Sequence, residues 1–282
     1  MRNAFVKELT VLAKKDKTVI AMLADNGIIV FDEYKEKYPN QFLNVGIAES
    51  NLISMASGMV GCGLKPFVYT ITPFLTMRPF EFIRNDICYQ NKNVRLIGIG
   101  AGFAYGALGP THHAIEDIAI MNVLPNIIII SPADPIETQK ATEALYELKS
   151  PSYLRIGTGN NPCVYEDDNY SFEIGKGVIL NEGTDLTIIG TGTILALLSE
   201  IVKEFLVDHV SIELINIHTI KPIDTDLIIK SVTKTKKVIT VEEHFIIGGL
   251  GSIVSDIISL NSVGCRFKKL GVKDKFVSSY GS

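Results

Sequence analysis

Short apolar runs rich in β-branched residues alternate with helix-spaced segments along nearly the whole chain. This rhythm is that of a parallel sheet covered by helices on both faces. It predicts strands at Val19–Ala24, Pro66–Thr70, Val94–Gly98, Ile127–Ser131 and Ser152–Ile156. Helices are expected between them, at Phe5–Lys15, Glu49–Gly63, Met77–Ile87, Glu116–Met121 and Pro135–Leu148. A polar, turn-rich passage, GTGNNPCVYEDDNY, then breaks the pattern before it restarts. Strands are expected again near Leu186–Ile189, Val210–Asn216 and Lys237–Glu242, with helices at Ile194–Phe205 and Gly251–Leu260. The chain is therefore read as two α/β domains, 1–158 and 172–282, joined by a linker over 159–171; the second is smaller, with a mixed sheet.

Composition narrows the function classes. Of 282 residues 46% are hydrophobic and 21% charged, and the net charge of −4 gives no electrostatic reason to expect nucleic acid or an anionic membrane surface. The stretch Leu96–Ile115 has no formal charge, but its glycines, Pro110 and two histidines argue against a spanning helix. Cys62, Cys88, Cys163 and Cys265 lie far apart without CxxC pairing, so reduced thiols and a cytoplasmic location are expected rather than a disulfide framework or zinc site. The N-terminal segment mixes Lys and Glu at helical spacing and lacks an apolar signal core.

Several motifs could carry chemistry. GTGTIL, Gly190–Leu195, follows a strand and opens a helix, but it lacks the third glycine and the distal acid of a dinucleotide fingerprint, so it reads as a tight turn. GGLGS, Gly248–Ser252, could offer backbone N–H groups to an anion or a neighbouring subunit. Walker A, HExxH and GxSxG sequences are absent. THHAIED, Thr111–Asp117, places His112 and Glu116 at metal-ligand spacing, which is two ligands and not a site. Helix capping accounts for Glu116 and Asp117 but less well for the histidines, so His112 is a candidate for contact with substrate or cofactor. In YTITPFLTMRPFEFIR, Phe74 is either a core residue or a ring face for stacking a planar ligand. Spacing alone leaves both open.

The stretch NVGIAESNLISMASGMVGCGLKPF raises the sharpest question. Glu49 has no other formal charge near it until Lys65, in company where a carboxylate is costly to bury. It calls for a partner or a task.

Together NVGIAESN, PFVYTITPFLTMRPFEFIR, GALGPTHHAIEDIA, SPADPIET, SYLRIG, KPID and VEEHFIIGGLGS resemble, in order and spacing, the C-terminal part of transketolase, its pyrimidine-binding domain followed by its C-terminal domain. The resemblance covers nearly the whole chain. It extends to related thiamine-diphosphate enzymes such as deoxyxylulose phosphate synthase and the beta subunit of 2-oxoacid dehydrogenases. It implies that Glu49 hydrogen-bonds the ring nitrogen of the cofactor's aminopyrimidine, favouring the imino tautomer that removes the thiazolium proton. That task needs a carboxyl that holds or shares a proton, which burial favours. The resemblance further implies that Phe74 stacks on the pyrimidine, with Ile71 and Met77 at positions often aromatic in transketolases and Asp25 near the cofactor. His112 is implied as a substrate-facing histidine with a catalytic role, and Arg155 as the arginine that grips a sugar phosphate.

Two positions depart from the pattern. Leu108 stands where transketolases commonly carry an aspartate that reads a sugar hydroxyl, and Gly100 where a substrate histidine often lies. A smaller or differently hydroxylated substrate is one consequence. The GDG motif by which the family holds diphosphate and magnesium is also absent. A split transketolase is therefore expected, in which this chain contributes no metal ligands and pairs with an N-terminal subunit carrying the GDG motif, in a heterotetramer that includes self-association of this chain. The expected activity is transfer of a two-carbon ketol unit between phosphorylated sugars, with thiamine diphosphate and Mg2+. The alternatives are a 2-oxoacid-decarboxylating or deoxyxylulose-phosphate-synthase-like enzyme and, in another class, a noncatalytic interaction subunit.

Overall fold

In the computed structural model, which describes residues 1–27, 29–159, 161–167, 169–207 and 209–277, the apolar runs of the first half form strands, all of them largely buried on both faces except the edge strand at Phe42–Asn44. These are β1 (Val19–Leu23), β2 (Phe42–Asn44), β3 (Lys65–Ile71), β4 (Arg95–Ile99), β5 (Ile128–Ile130) and β6 (Ser152–Ile156). All six run parallel, in the spatial order β5-β6-β4-β3-β1-β2. The period of two sorts their side chains: Val19, Ala21 and Leu23 point to one core, Ile20 and Met22 to the other. The first core is closed by helix α1 (Arg2–Lys15), through Phe5, Leu9 and Leu12, and by α7 (Pro135–Glu147). The second is closed by α3 (Glu49–Gly61), through Leu52, Ile53 and Ala56, and by α6 (Asp117–Asn122), and it runs on without interruption into the second unit. A short α2 (Asp32–Lys37) lies between β1 and β2.

The second sheet has the order β12-β11-β8-β9-β7, formed by β7 (Val178–Asn181), β8 (Leu186–Gly190), β9 (Ile212–Asn216), β11 (Lys237–Phe245) and β12 (Arg266–Val272). It is parallel except for β7. Helices α8 (Ile194–Val207), α9 (Thr225–Thr235) and α10 (Leu250–Leu260) cover it. The expected two α/β units are therefore present, the first mostly parallel and the second mixed only through its antiparallel β7.

Besides β2, β7 and the short α2, which the sequence reading did not include, three details differ from it. The helix expected at Met77–Ile87 is broken into α4 (Thr72–Thr76), a single turn α5 (Phe80–Phe82) and a π-helical turn, Ile83–Cys88. Pro79 has no N–H to donate and disfavours helical backbone at the residue before it, Arg78. Strand β10 (Thr219–Lys221) leaves the second unit and pairs antiparallel with β5 as the edge of the first sheet. Lys221 Nζ fastens it by donating to the carbonyls of Asn122 and Leu124. Strand β12 was not expected, because its exposed lysines mask the alternation of an edge strand.

Both glycine-rich turns are structural. GTGTIL joins the end of β8 to the start of α8. In GGLGS the backbone N–H groups of Leu250 and Gly251 do meet an anion, the chain's own Glu242, at 2.7 and 2.9 Å. A Cβ on Gly249 would lie 2.1 Å from that carboxylate, so only glycine fits. Burial pushes the Glu242 carboxyl up to about 7. Among the described residues no helix is long and apolar enough to cross a membrane.

Candidate active site

Because β2, β1, β3 and β4 are parallel neighbours, the loops that follow them emerge side by side at one end of the sheet. That is where open α/β sheets generally place ligands. Nearly every residue singled out from the sequence lies on one of these four loops.

Glu49 is the first residue of α3, after β2, and is 5% exposed. A helix N-terminus favours an anion there, through its free N–H groups and dipole. The carboxylate also has a charged partner. Arg78 Nη1 lies 3.0 Å from each of the two carboxylate oxygens. Arg78 comes from the loop after β3, between α4 and Pro79, and its side chain is 49% exposed. Its guanidinium carbon lies 4.2 Å from the centroid of the Phe74 ring, a cation–π contact. Phe74, half-buried on α4, meets the His112 ring edge-on, with 5.1 Å between centroids. His112 Nδ1 is 3.0 Å from Thr111 Oγ1, and Tyr105 stands on its other flank, 6.4 Å between centroids.

Glu49, Arg78, Phe74 and His112 thus form one continuous row. Ile71, half-buried at the end of β3, and Met77, exposed after α4, flank Phe74 along the chain. Asp25 is exposed on the neighbouring β1 loop, where the Asn44 side chain ties it down: Asn44 Oδ1 accepts from the backbone N–H groups of Asp25 and Gly46, at 2.9 and 3.0 Å. This clasp fixes the loops after β1 and β2 against each other just ahead of Glu49.

Arg155 is not in this row. It lies on β6, is 2% exposed, and its guanidinium is engaged through two of its three nitrogens at the seam between the two sheets. Nε donates to Asp117 at 2.7 Å, and Nη2 donates to the carbonyls of Ala114 and Glu243, both at 2.9 Å. Tyr153 donates to the same Asp117 oxygen at 2.7 Å. In this arrangement Arg155 fastens β11 of the second unit to the start of α6 through Nε and Nη2.

The metal-like spacing in THHAIED is not realised. His112 turns toward Phe74 and Thr111, while the Glu116 carboxylate accepts from the backbone N–H of Ile115. Among the described residues no group of three or more His, Cys, Asp or Glu side chains is placed to hold a metal ion.

The departures at 100 and 108 have visible causes. Gly100 has φ +82°, and a Cβ there would lie 2.2 Å from the Tyr105 ring, so Tyr105 fills the space that a side chain at 100 would need. Leu108 ends a short turn and is 56% exposed, presenting an apolar side chain to solvent. Sequence reasoning missed Arg78 and Tyr105. The cue for Arg78 was its position four residues after Phe74, with a buried carboxylate in need of a cation; no local pattern pointed to Tyr105.

Known proteins match both units of the fold. The transketolase pyrimidine-binding domain matches residues 1–162 and the transketolase C-terminal domain residues 175–281. An apulose-4-phosphate transketolase subunit of Phocaeicola vulgatus is 35% identical, over 98% of this chain and 88% of its own length. A putative transketolase C-terminal section of Methanocaldococcus jannaschii is 37% identical, over 98% of this chain and 87% of its own length. Among solved structures, a split-gene transketolase described as an inactive beta4 tetramer superimposes with a TM-score of 0.89 at 36% identity, covering 98% of this chain and 89% of that one. With both domains matched in order and relatives aligned over almost their full length, this chain belongs to the transketolase family.

Proposed function

We propose that the chain is the C-terminal subunit of a split transketolase, supplying the pyrimidine side of a thiamine-diphosphate site and transferring a two-carbon ketol unit between sugars or sugar phosphates. The observation that carries this reading is the pairing of a buried carboxyl, Glu49, with an aromatic face, Phe74, across a gap that already holds one flat, nitrogen-rich group. A planar aminopyrimidine fits the same two contacts. Thiamine diphosphate, when bound, supplies the carbon nucleophile that protein side chains lack.

The chain's own residues do the rest. Glu49 holds or shares a proton at the pyrimidine ring nitrogen, and Phe74 fixes the plane of the ring. His112 has Nδ1 engaged by Thr111, so Nε2 is the nitrogen that meets a substrate oxygen. Arg155 is assigned to holding the two sheets together, and the grip on a phosphate passes to groups outside this chain. Leu108 and Tyr105 give the substrate side an apolar and aromatic lining, which favours a substrate with fewer hydroxyls to read than the usual ketoses.

No GDG motif occurs in the 282 residues, and no metal-ligand cluster stands among those described. The diphosphate and Mg2+ are therefore assigned to an N-terminal partner subunit, in keeping with relatives that are themselves single subunits or sections of a transketolase. Two copies of each subunit in a heterotetramer would give every cofactor one domain of each type. The test is to co-purify the chain with its partner and assay ketol transfer from hydroxypyruvate, xylulose 5-phosphate and pyruvate, wild type beside Glu49→Ala. Transfer that needs both subunits and is lost with Glu49 supports the reading. Full transfer by this chain alone, or by the Glu49→Ala complex, refutes it.

A further inference from the structure

The place beside Glu49 is filled by a group with the same shape and bonding edge as the ligand proposed for it. A guanidinium is a flat N–C–N unit that stacks on aromatic rings and presents its N–H bonds in plane to a carboxylate. An aminopyrimidine also stacks by its face and presents ring and exocyclic nitrogens along its edge. Arg78 makes both contacts at once, 3.0 Å to each oxygen of Glu49 and 4.2 Å from the Phe74 centroid. Two flat groups cannot share that ring face and that carboxyl.

We propose that Arg78 is a resident occupant of the pyrimidine place, which thiamine diphosphate displaces as it loads. The proposal rests on reading the Glu49 row as the pyrimidine half of the cofactor site. The geometry allows the exchange. Glu49 is 5% exposed, but the Arg78 side chain is 49% exposed, so the guanidinium can swing into water without crossing packed core. The backbone at 78 is held between the end of α4 and Pro79, so the movement is one of side-chain torsions. The arrangement also has a purpose before loading. A buried carboxylate left without a partner is costly, and Arg78 pairs it until the cofactor takes over. Cofactor affinity is then set by the difference between two occupants of one place rather than by the contacts of the cofactor alone.

The experiment is calorimetric titration of thiamine diphosphate, with Mg2+ present, into the assembled two-subunit complex stripped of cofactor. Wild type, Arg78→Ala, Arg78→Lys and Glu49→Ala are compared, each checked for folding by thermal denaturation. Removing the occupant is expected to tighten binding by about tenfold in Arg78→Ala. Arg78→Lys, which keeps the charge but not the flat stack, is expected to fall between Ala and wild type. Equal or weaker binding by Arg78→Ala overturns the proposal and makes Arg78 part of the wall that holds the bound cofactor. Should Arg78→Ala fail to fold, Arg78→Lys decides: tighter binding than wild type supports displacement, and equal or weaker binding overturns it. If the wild type does not bind, or Glu49→Ala binds as wild type does, the half-site reading itself falls, and the proposal with it.

Discussion

Among the described residues stand two arginine–carboxylate pairs with nearly equal contact distances and opposite surroundings. Arg155 and Asp117 meet at 2.7 Å with 2% and 0% exposure, and two backbone carbonyls take up Nη2 of the guanidinium. Arg78 and Glu49 meet at 3.0 Å with 49% and 5% exposure, and the second contact of the guanidinium is an aromatic face. Contact distance therefore says little about what such a pair does. When both ions are buried and tied to neighbouring backbone as well, removing one partner strands a charge, and the pair acts as a fastening. When one ion lies in water on a stacking surface, it can leave at small cost, and the pair marks a place where something else can bind.

The comparison breaks first at Glu49. Glu49→Ala is expected to lower ketol transfer by about 10²- to 10⁴-fold, the range for loss of an acid–base group. The half-exposed Arg78 is free to re-enter water, so stability should change by only about 1 kcal/mol. Steady-state kinetics beside urea denaturation reads both; a large stability loss would make Glu49 a second fastening. Arg155→Ala should do the reverse, costing about 3–5 kcal/mol in stability by leaving Asp117 buried without its partner. Chemical denaturation checks this. A stable Arg155→Ala protein with a raised KM for phosphorylated donors would restore the substrate role that the sequence suggested.

A pH effect sharpens the contrast, because two buried carboxyls at or near the seam are perturbed. Burial pushes both Glu137 and Glu242 up to about 7. Between the ordinary glutamate value and about 7 the folded chain keeps protons that the unfolded chain has released. Stability is therefore greatest below about 4.5 as far as these groups are concerned, and it falls as pH rises toward 7. The loss is on the order of 3 kcal/mol for each group, taking about 1.4 kcal/mol per pKa unit. Denaturation midpoints measured across this range, wild type against Glu137→Gln, should show a shallower slope in the variant. The smallest effect is expected from Tyr165→Phe. Its hydroxyl bridges Glu137 and Asn216, at 3.0 and 2.9 Å, and pins the connecting segment to α7 and to β9. Its loss should cost about 1 kcal/mol by thermal or chemical denaturation.

How much of this was legible in the sequence follows the same division. The central strands were readable because a strand buried on both faces is an apolar run. Strand β10 was not, since Thr219–Lys221 is too short to show a pattern and its partner β5 lies some ninety positions earlier. The helix expected at Met77–Ile87 ran through Pro79, a breaker that should have weighed more. Glu49 and His112 stood out because their residue types were odd for their local surroundings, Phe74 was singled out for stacking by the resemblance, and the fold brings the three into one row. The Arg78–Glu49 pair joins positions 29 apart and exists only through the tertiary fold. Arg155 was read as a substrate residue from the resemblance alone, and only the fold shows its Nε and Nη2 bonded to Asp117, Ala114 and Glu243.

The most direct test of the account is the structure of the assembled two-subunit complex with thiamine diphosphate and Mg2+ bound. It should show a carboxylate oxygen of Glu49 within about 2.6–3.2 Å of the pyrimidine ring nitrogen, the ring stacked on Phe74, and the Arg78 guanidinium turned away from both. A pyrimidine bound elsewhere, with Arg78 still lying between Glu49 and Phe74, would contradict it.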